Sequence, residues 1–383
     1  MGAAWLAWRQ LMRERVRLMV ALAGVAFAVV LMFMQLGFRT ALFESAVRFH
    51  SHLAGDVFLI SPRSSYLAQM QSFTQRRLYQ AAAFPEVQGF SAVYTSGGLW
   101  RNPDNGELHR LFVAGSEPDR APFDLPDVQA NLDVLRLPDR VLFDADSRPD
   151  FGPIAARFAT GDTIRAEVEN REVTVVGLFH LGTSFGIDAT LITSDLNFLR
   201  LFPSRQEGLI QIGVIRLKHG ADAAVVRDRL AATLPRDVEV LTKEGFMRRE
   251  KNYWAHAQPI GYVFAFGAIM GFVVGMVIVY QVLFADVSDH LAEYATLKAM
   301  GYRDGYLFGV VLCQAVVLAV LGYLPGMAAS RELYRLTNKA THLPMDLGVH
   351  VGAVVLALTV VMCVISGMIA VRKVRSADPA DIF

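Results

Sequence analysis

Four long apolar runs in a chain of positive mean hydropathy predict an α-helical membrane protein with four transmembrane helices in a 1+3 order. A large α+β domain of two lobes is held outside the bilayer. The runs Leu18–Phe38, Ile260–Ala285, Tyr306–Ala329 and Val349–Val371 contain no Asp, Glu, Lys or Arg. Each reaches the length of about 20 residues that crosses a hydrocarbon core of about 30 Å as a helix rising 1.5 Å per residue. Residues 39–257, between the first and second runs, are mostly polar and alternate between strand and helix patterns.

A basic start followed by an apolar run also describes a secretory signal. Here the run exceeds the usual signal core of about 7–15 residues, and no small-x-small cleavage site follows it promptly, so it reads as an uncleaved anchor. Arg9, Arg13, Arg15 and Arg17 precede the first run, and Arg372, Lys373 and Arg375 follow the fourth, which predicts that both termini are cytoplasmic. The short loops oppose this weakly, with Arg331, Arg335 and Lys339 in the outer loop 330–348 against Lys298 and Arg303 in the inner segment 286–305. The denser terminal clusters decide the orientation. The large domain is then translocated, leaving residues 1–17 and 372–383 inside.

The net charge of +1 implies no nucleic acid and no strongly anionic partner. Cys313 and Cys363 fall within apolar runs, so the domain rests on its own apolar core rather than on a disulfide.

Within the domain, residues 40–53 keep a helical pattern and extend the first span as a stalk. Residues 56–60 read as a strand and 72–83 as a helix stopped by Pro85. Strands at 89–101 and 108–115 are joined by the turn Asn102-Pro103-Asp104-Asn105-Gly106. Pro, Asp and Gly punctuate 116–151. A hairpin is expected at 163–168 and 173–180 through Glu169-Asn170-Arg171, then a strand at 189–193 and a helix at 194–201. Strand 209–217, helix 221–232 and strand 238–241 repeat the opening pattern, and 242–257 forms a charged helix leading to the second span. One α+β lobe (54–118 with 206–245) and one β-rich lobe (119–205) follow.

Gly182-Thr183-Ser184-Phe185-Gly186 matches the G-x-S-x-G nucleophile elbow, but the residues after it pattern as a strand where that motif needs a helix. No H-E-x-x-H, paired Cys-x-x-Cys or clustered histidine supplies a metal site, and no G-x-x-x-x-G-K-[ST] loop holds nucleotide phosphates. The spans lack the buried charges of an ion-coupled carrier, so any work done must draw its energy from a partner.

The inner segment 286–302 is where that energy can enter. It reads as a short helix stopped at Gly301. Val287, Leu291, Tyr294 and Ala295 form an apolar stripe, while Asp286, Asp289 and Glu293 recur on another face. In the second span Gly267, Gly271 and Gly275 repeat at spacing four, which permits close helix packing within the chain or in a dimer; Gly24 and Ala28 of the first span offer a rival dimer face.

The stretch Glu293-Tyr294-Ala295-Thr296-Leu297-Lys298-Ala299-Met300-Gly301 resembles the E-x-x-x-L-[KR]-A-[LM]-G segment of the MacB/FtsX-type permeases of ATP-binding-cassette systems. The tail Arg372-Lys373-Val374-Arg375-Ser376-Ala377-Asp378-Pro379-Ala380 is similar to their basic ending in Asp-Pro. The order of one span, a large periplasmic domain and three spans is also theirs, with the likeness closest to the DevC group. In that group ATPase and adaptor are separate chains; with only a short stretch before the Arg cluster, no fused ATPase is expected. The resemblance implies a non-catalytic homodimeric permease of the inner membrane whose cytoplasmic segment docks in a groove of the ATPase. Asp289, Glu293, Tyr294, Leu297, Lys298, Met300 and Gly301 would lie at that coupling surface. ATP and magnesium would be bound by the ATPase. Further partners would be a periplasmic adaptor, an outer-membrane duct and membrane lipid. The alternative within the family is an FtsX-like transducer controlling a periplasmic hydrolase. A membrane-anchored hydrolase using Ser184 is a third reading.

Overall fold

The computed structural model describes residues 8, 12, 13, 15–290, 292, 293, 296, 300–302, 304–341 and 343–375. Contacts divide the chain into two units. One combines residues 1–41, 260–339 and 345–383; the other combines 42–259 with 340–344.

Among the described residues, four helices centred in the first unit are long and apolar enough to cross a membrane: α1 (Arg15–Ala46), α9 (Pro259–Asp289), α10 (Asp304–Thr341) and α11 (Val349–Arg375). Each contains one predicted run and extends past it. Helix α1 continues to Ala46, as the stalk pattern suggested. The loop expected at 330–348 is helical as far as Thr341. Hydropathy misses this because Arg331, Glu332 and Arg335 make the stretch polar, whereas Ser330 and Tyr334, four residues apart, are buried. The Tyr334 hydroxyl donates to the Phe33 carbonyl of α1, and Arg335 pairs with Glu332 at 2.6 Å.

Helix α1 is the hub of this unit. A Cβ added at Gly24 or Gly275 would collide with Ile278 or with Ala28 and Met362; one at Gly267 would collide with Gln35, and one at Gly271 would press Leu31 at 3.1 Å. These contacts join α1 to α9. Toward α10, Gly322 abuts Val25 and Gly326 abuts Val29. Small residues let the backbones approach, and dispersion and shape then hold helices that gain little from apolar burial in lipid.

The second unit is built on eleven strands: β1 (Val57–Ile60), β2 (Phe73–Thr74), β3 (Val87–Arg101), β4 (Leu108–Ser116), β5 (Arg140–Asp144), β6 (Ile164–Val168), β7 (Arg171–Phe179), β8 (Thr190–Ser194), β9 (Leu209–Ile210), β10 (Ile212–Leu217) and β11 (Glu239–Thr242). Its helices are α2 (Arg48–Ser51), α3 (Arg76–Ala82), α4 (Pro126–Ala130), α5 (Ile154–Ala159), α6 (Asp195–Leu201), α7 (Ala223–Thr233) and α8 (Lys243–Asn252). Nine strands form one mixed sheet in the order β11-β1-β10-β3-β4-β8-β5-β7-β6, and β2 pairs with β9. Strands of the predicted α+β lobe occupy one end and those of the β-rich lobe the other.

The long β3 serves both ends. Trp100 and Arg101 also pair with Val168 and Glu167 of β6, so the strands from β3 round to β6 close into a ring. The β6–β7 hairpin turns through Glu169 and Asn170 at φ +50° and +62°, both in the left-handed region a two-residue turn requires. Helices α6, α7 and α8 begin on Ser194, Asp222 and Thr242, whose side chains accept first-turn N–H groups.

Along β1, Val57 and Leu59 join one apolar cluster with Trp100, Phe143 and Phe151, whereas Phe58 and Ile60 join another with Phe112, Phe179 and Phe246. Alternate residues of a strand face opposite sides, so both faces of the sheet are covered there. Sequence patterning missed strand β5 and helix α4, in the segment read only as punctuated, helix α5 after it, and strand β2, which lies within the helix expected at 72–83.

Gly275→Leu should break the α1–α9–α11 contact and destabilise the chain by about 1–3 kcal/mol, whereas Val277→Leu, on an exposed part of α9, should not. Thermal unfolding in detergent distinguishes them, and equal midpoints would refute the packing assignment.

Candidate functional site

The coupling residues expected between the second and third spans are only partly within the described chain: Tyr294, Leu297 and Lys298 lie outside it. Glu293 is exposed and helical, and Met300 is exposed in a turn whose N–H donates to Thr296 at 3.0 Å. Gly301 takes φ +89°, the left-handed geometry that lets glycine end a helix.

The acidic face anticipated here is divided. Asp286 and Asp289 belong to the last turn of α9 rather than to the start of a separate helix at 286, so the helix dipole disfavours them instead of welcoming them. Asp286 is 4% exposed; its Oδ2 accepts from Gln314 Nε2 of α10 at 2.9 Å, and its Oδ1 lies 3.7 Å from His290 Nδ1. Asp289 pairs with Arg17 of α1 at 2.5 Å. Gln314 was not singled out by the sequence, since a lone polar residue in an apolar run carries no periodic signal, nor was His290, one histidine in a segment of mixed polarity. Gly267, Gly271 and Gly275, with Gly24 and Ala28, meet this chain's own helices as described above.

The Gly-rich loop is not an elbow. Gly182–Gly186 leads into strand β8, and the Ser184 Oγ accepts from Gly186 N–H at 3.3 Å. Buried Asp144 holds the loop by accepting from the N–H groups of Leu181 and Gly182 at 3.0 and 2.8 Å, while Arg48 donates to the Leu181 carbonyl at 3.0 Å. Burial raises the Asp144 carboxyl even against these donors. Gly182 has φ +85°, and a Cβ there would strike Arg48.

A second polar site lies beside this loop and has no counterpart in any sequence motif. Glu250, in α8 ahead of the second span, and His50, in α2 after the first, are both buried. The Glu250 carboxylate accepts from Trp254 Nε1 and Leu67 N–H, each at 3.0 Å. His50 Nε2 lies 3.7 Å from Glu250 Oε2, and neither ring nitrogen has a hydrogen-bond partner among the described residues. The imidazole instead packs edge-on to Phe246, with centroids 4.3 Å apart. Residues Tyr253–Ala257 form a π-helical turn, an uncommon conformation often found at functional sites. It brings Tyr253 into a stack on Tyr66 at 4.6 Å. Burial pushes the Glu250 carboxyl up to about 7 and the His50 imidazole down to about 3.

The two shifts oppose each other in stability. A raised acid contributes stability below its ordinary value of 4.5 and loses it as pH rises through 7; a depressed imidazole contributes above 6.5 and loses it as pH falls through 3. Between 4.5 and 6.5 the folded and unfolded pair each hold one proton, so the pair adds no slope. Glu250→Gln should therefore expose a loss of stability as pH falls below 6.5, and His50→Gln a loss as pH rises above 4.5. Each slope is limited to about 1.4 kcal/mol per pH unit. Thermal unfolding of the full chain in detergent across this range tests it; parallel profiles for the three proteins would refute the assignment.

Comparison with known proteins bears on both units. Residues 18–233 match the family model of the MacB-like periplasmic core domain, and residues 265–379 match that of the FtsX-like permease C-terminal region. Among solved structures, the chain is similar to the periplasmic region of MacB from Actinobacillus actinomycetemcomitans, with 10% identity, 53% of this chain and 95% of that one covered, and a TM-score of 0.37. It is also similar to the extracellular domain of the noncanonic ABC-type transporter YknZ from Gram-positive bacteria, with 11% identity, coverage of 49% and 98%, and a TM-score of 0.32. No curated protein matches the chain.

Proposed function

We propose, from the premise that this chain belongs to the FtsX-like permeases with a MacB-like periplasmic core domain, that it is the permease subunit of an ATP-driven exporter. It works as a homodimer in an inner membrane with both termini cytoplasmic. A separate ATP-binding-cassette ATPase, which binds ATP and magnesium, docks on the segment after α9. Nucleotide-driven closure moves the spans, and they move a periplasmic domain that engages an adaptor, an outer-membrane duct and cargo, with membrane lipid around the bundle.

The observation that carries this reading is the position of Glu293-x-x-x-Leu297-Lys298-Ala299-Met300-Gly301 between the second and third spans, inside the FtsX-like match. A segment there can reach a partner on one side of the membrane while remaining covalently tied to two spans. The same mechanics suit an FtsX-like transducer that drives a periplasmic hydrolase without moving cargo, a reading supported by the FtsX-like match to the three C-terminal spans. Co-purification separates the two: an adaptor bound to the periplasmic domain favours export, a cell-wall hydrolase favours transduction.

Charge reversal at Glu293, or Leu297→Asp, should abolish ATP-dependent activity without lowering the amount of permease in the membrane. Undiminished activity in both variants would rule out docking at this segment. For orientation, a cysteine at Asn105 should react with an impermeant thiol reagent added outside intact inner-membrane spheroplasts, and one at Ser288 should not; the reverse labelling pattern inverts the proposed topology.

A further inference from the structure

The acids at the end of α9 sit where the backbone dipole opposes them, yet neither is spent on water alone. Asp286 accepts from Gln314 of α10, and beside it His290 Nδ1 donates to the Asp286 carbonyl at 2.9 Å. One turn further on, Asp289 reaches Arg17 of α1. Val287, between them, is fully buried against Val311 of α10 and Val371 of α11, with Tyr306 and Phe308 packed on the same cluster. Three residues in the last turn of α9 thus touch all three other spans.

We propose that this turn is a joint that fixes the coupling segment to the bundle, with Arg17, Asp286, Asp289 and Gln314 as positioning residues that transmit the segment's displacement without contacting the ATPase. The proposal rests on the functional reading above; it moves Asp289, which the resemblance put at the coupling surface, to the joint because it pairs with Arg17, and adds Arg17, Asp286 and Gln314. An apolar helix end could slide along its neighbours. An Asp286 side chain hydrogen-bonded to the buried Gln314 amide cannot do so without breaking that bond, so displacement of α9 carries α10 with it. The Arg17–Asp289 pair, which is partly exposed, adds less and carries α1.

The test uses the full permease with its ATPase in proteoliposomes and reads two quantities: how much ATPase the permease captures, and by how much it stimulates ATP hydrolysis. Asp286→Ala and Gln314→Leu should capture ATPase at the wild-type level yet lose stimulation by about tenfold or more, as expected for a buried hydrogen bond to a charge. Arg17→Asp and Asp289→Arg should each lose about threefold, and the double swap should recover it, in keeping with a partly exposed ion pair. Leu297→Asp, by contrast, should lose capture itself. Full stimulation in the four single variants, or a loss of capture in parallel with stimulation, would overturn the joint. If the wild-type chain captures no ATPase, the functional reading fails separately. The joint is then judged by a thermal-unfolding cycle on Arg17 and Asp289, in which purely additive effects would remove it.

Discussion

Close approach to α1 is the constraint on which the membrane unit depends. Lipid tails are as apolar as leucine, so helices in a bilayer are not driven together by exclusion from water. What holds them is contact, and contact requires that one surface yield space to the other. On α1, residues 24, 28, 31 and 35 face α9, while 25, 29 and 33 face α10, one residue further round the helix. Two adjacent stripes on a single helix therefore organise two neighbours. Glycines of α9 and α10 meet α1 at 267, 271, 275, 322 and 326, whereas at Gly24 the glycine lies on α1 and Ile278 of α9 fills the space. Repetition at spacing four in α9 follows from this, because successive turns of one helix meet successive turns of the other.

A similar economy governs the extramembrane unit. Its sheet is covered on both faces where β1 lies, and the two chain segments that lead out of and back into the spans meet inside it at His50 and Glu250. An apolar pair of the same size would avoid the desolvation of a carboxyl group, and replacing buried polar pairs in that way is often neutral or stabilising. Glu250 instead fixes two specific donors, the Leu67 N–H and the Trp254 indole, and so sets the register of the π-helical turn against the loop at residues 67–69. The gain is geometric: a carboxylate with two directed hydrogen bonds admits one arrangement where a leucine would admit several.

Much of this was legible in the sequence because hydropathy and period report exactly one thing, the environment of each residue along a regular element. The four spans, the hairpin at Glu169–Asn170 and the strand–helix order of the domain all follow from it. What it does not report is partnership between distant residues. Strand β5 is short and set between Pro138 and Pro149, so it offers no period, and it is defined by pairing with β7 and β8. Closure of β3 on β6 rests on two residue pairs at the end of a long strand. The polar end of α10 is helical because Tyr334 finds the Phe33 carbonyl, and Asp286 of α9 is internal because Gln314 faces it. In each case the deciding residue looks ordinary in one dimension.

These features have a mechanical consequence when taken together. Packed interfaces respond to force by moving as units or by switching between discrete arrangements, since a close-packed contact cannot be stretched continuously. In this bundle, α9 is locked to α1 by glycine contacts along its length and to α10 and α11 at its last turn by Asp286 and Val287. Helix α1 then runs unbroken from Arg15 to Ala46, and its final residues, from Leu42, already belong to the extramembrane unit. The glycines of the bundle and Asp286 at its edge therefore serve one requirement, close packing of α9 against the other three spans.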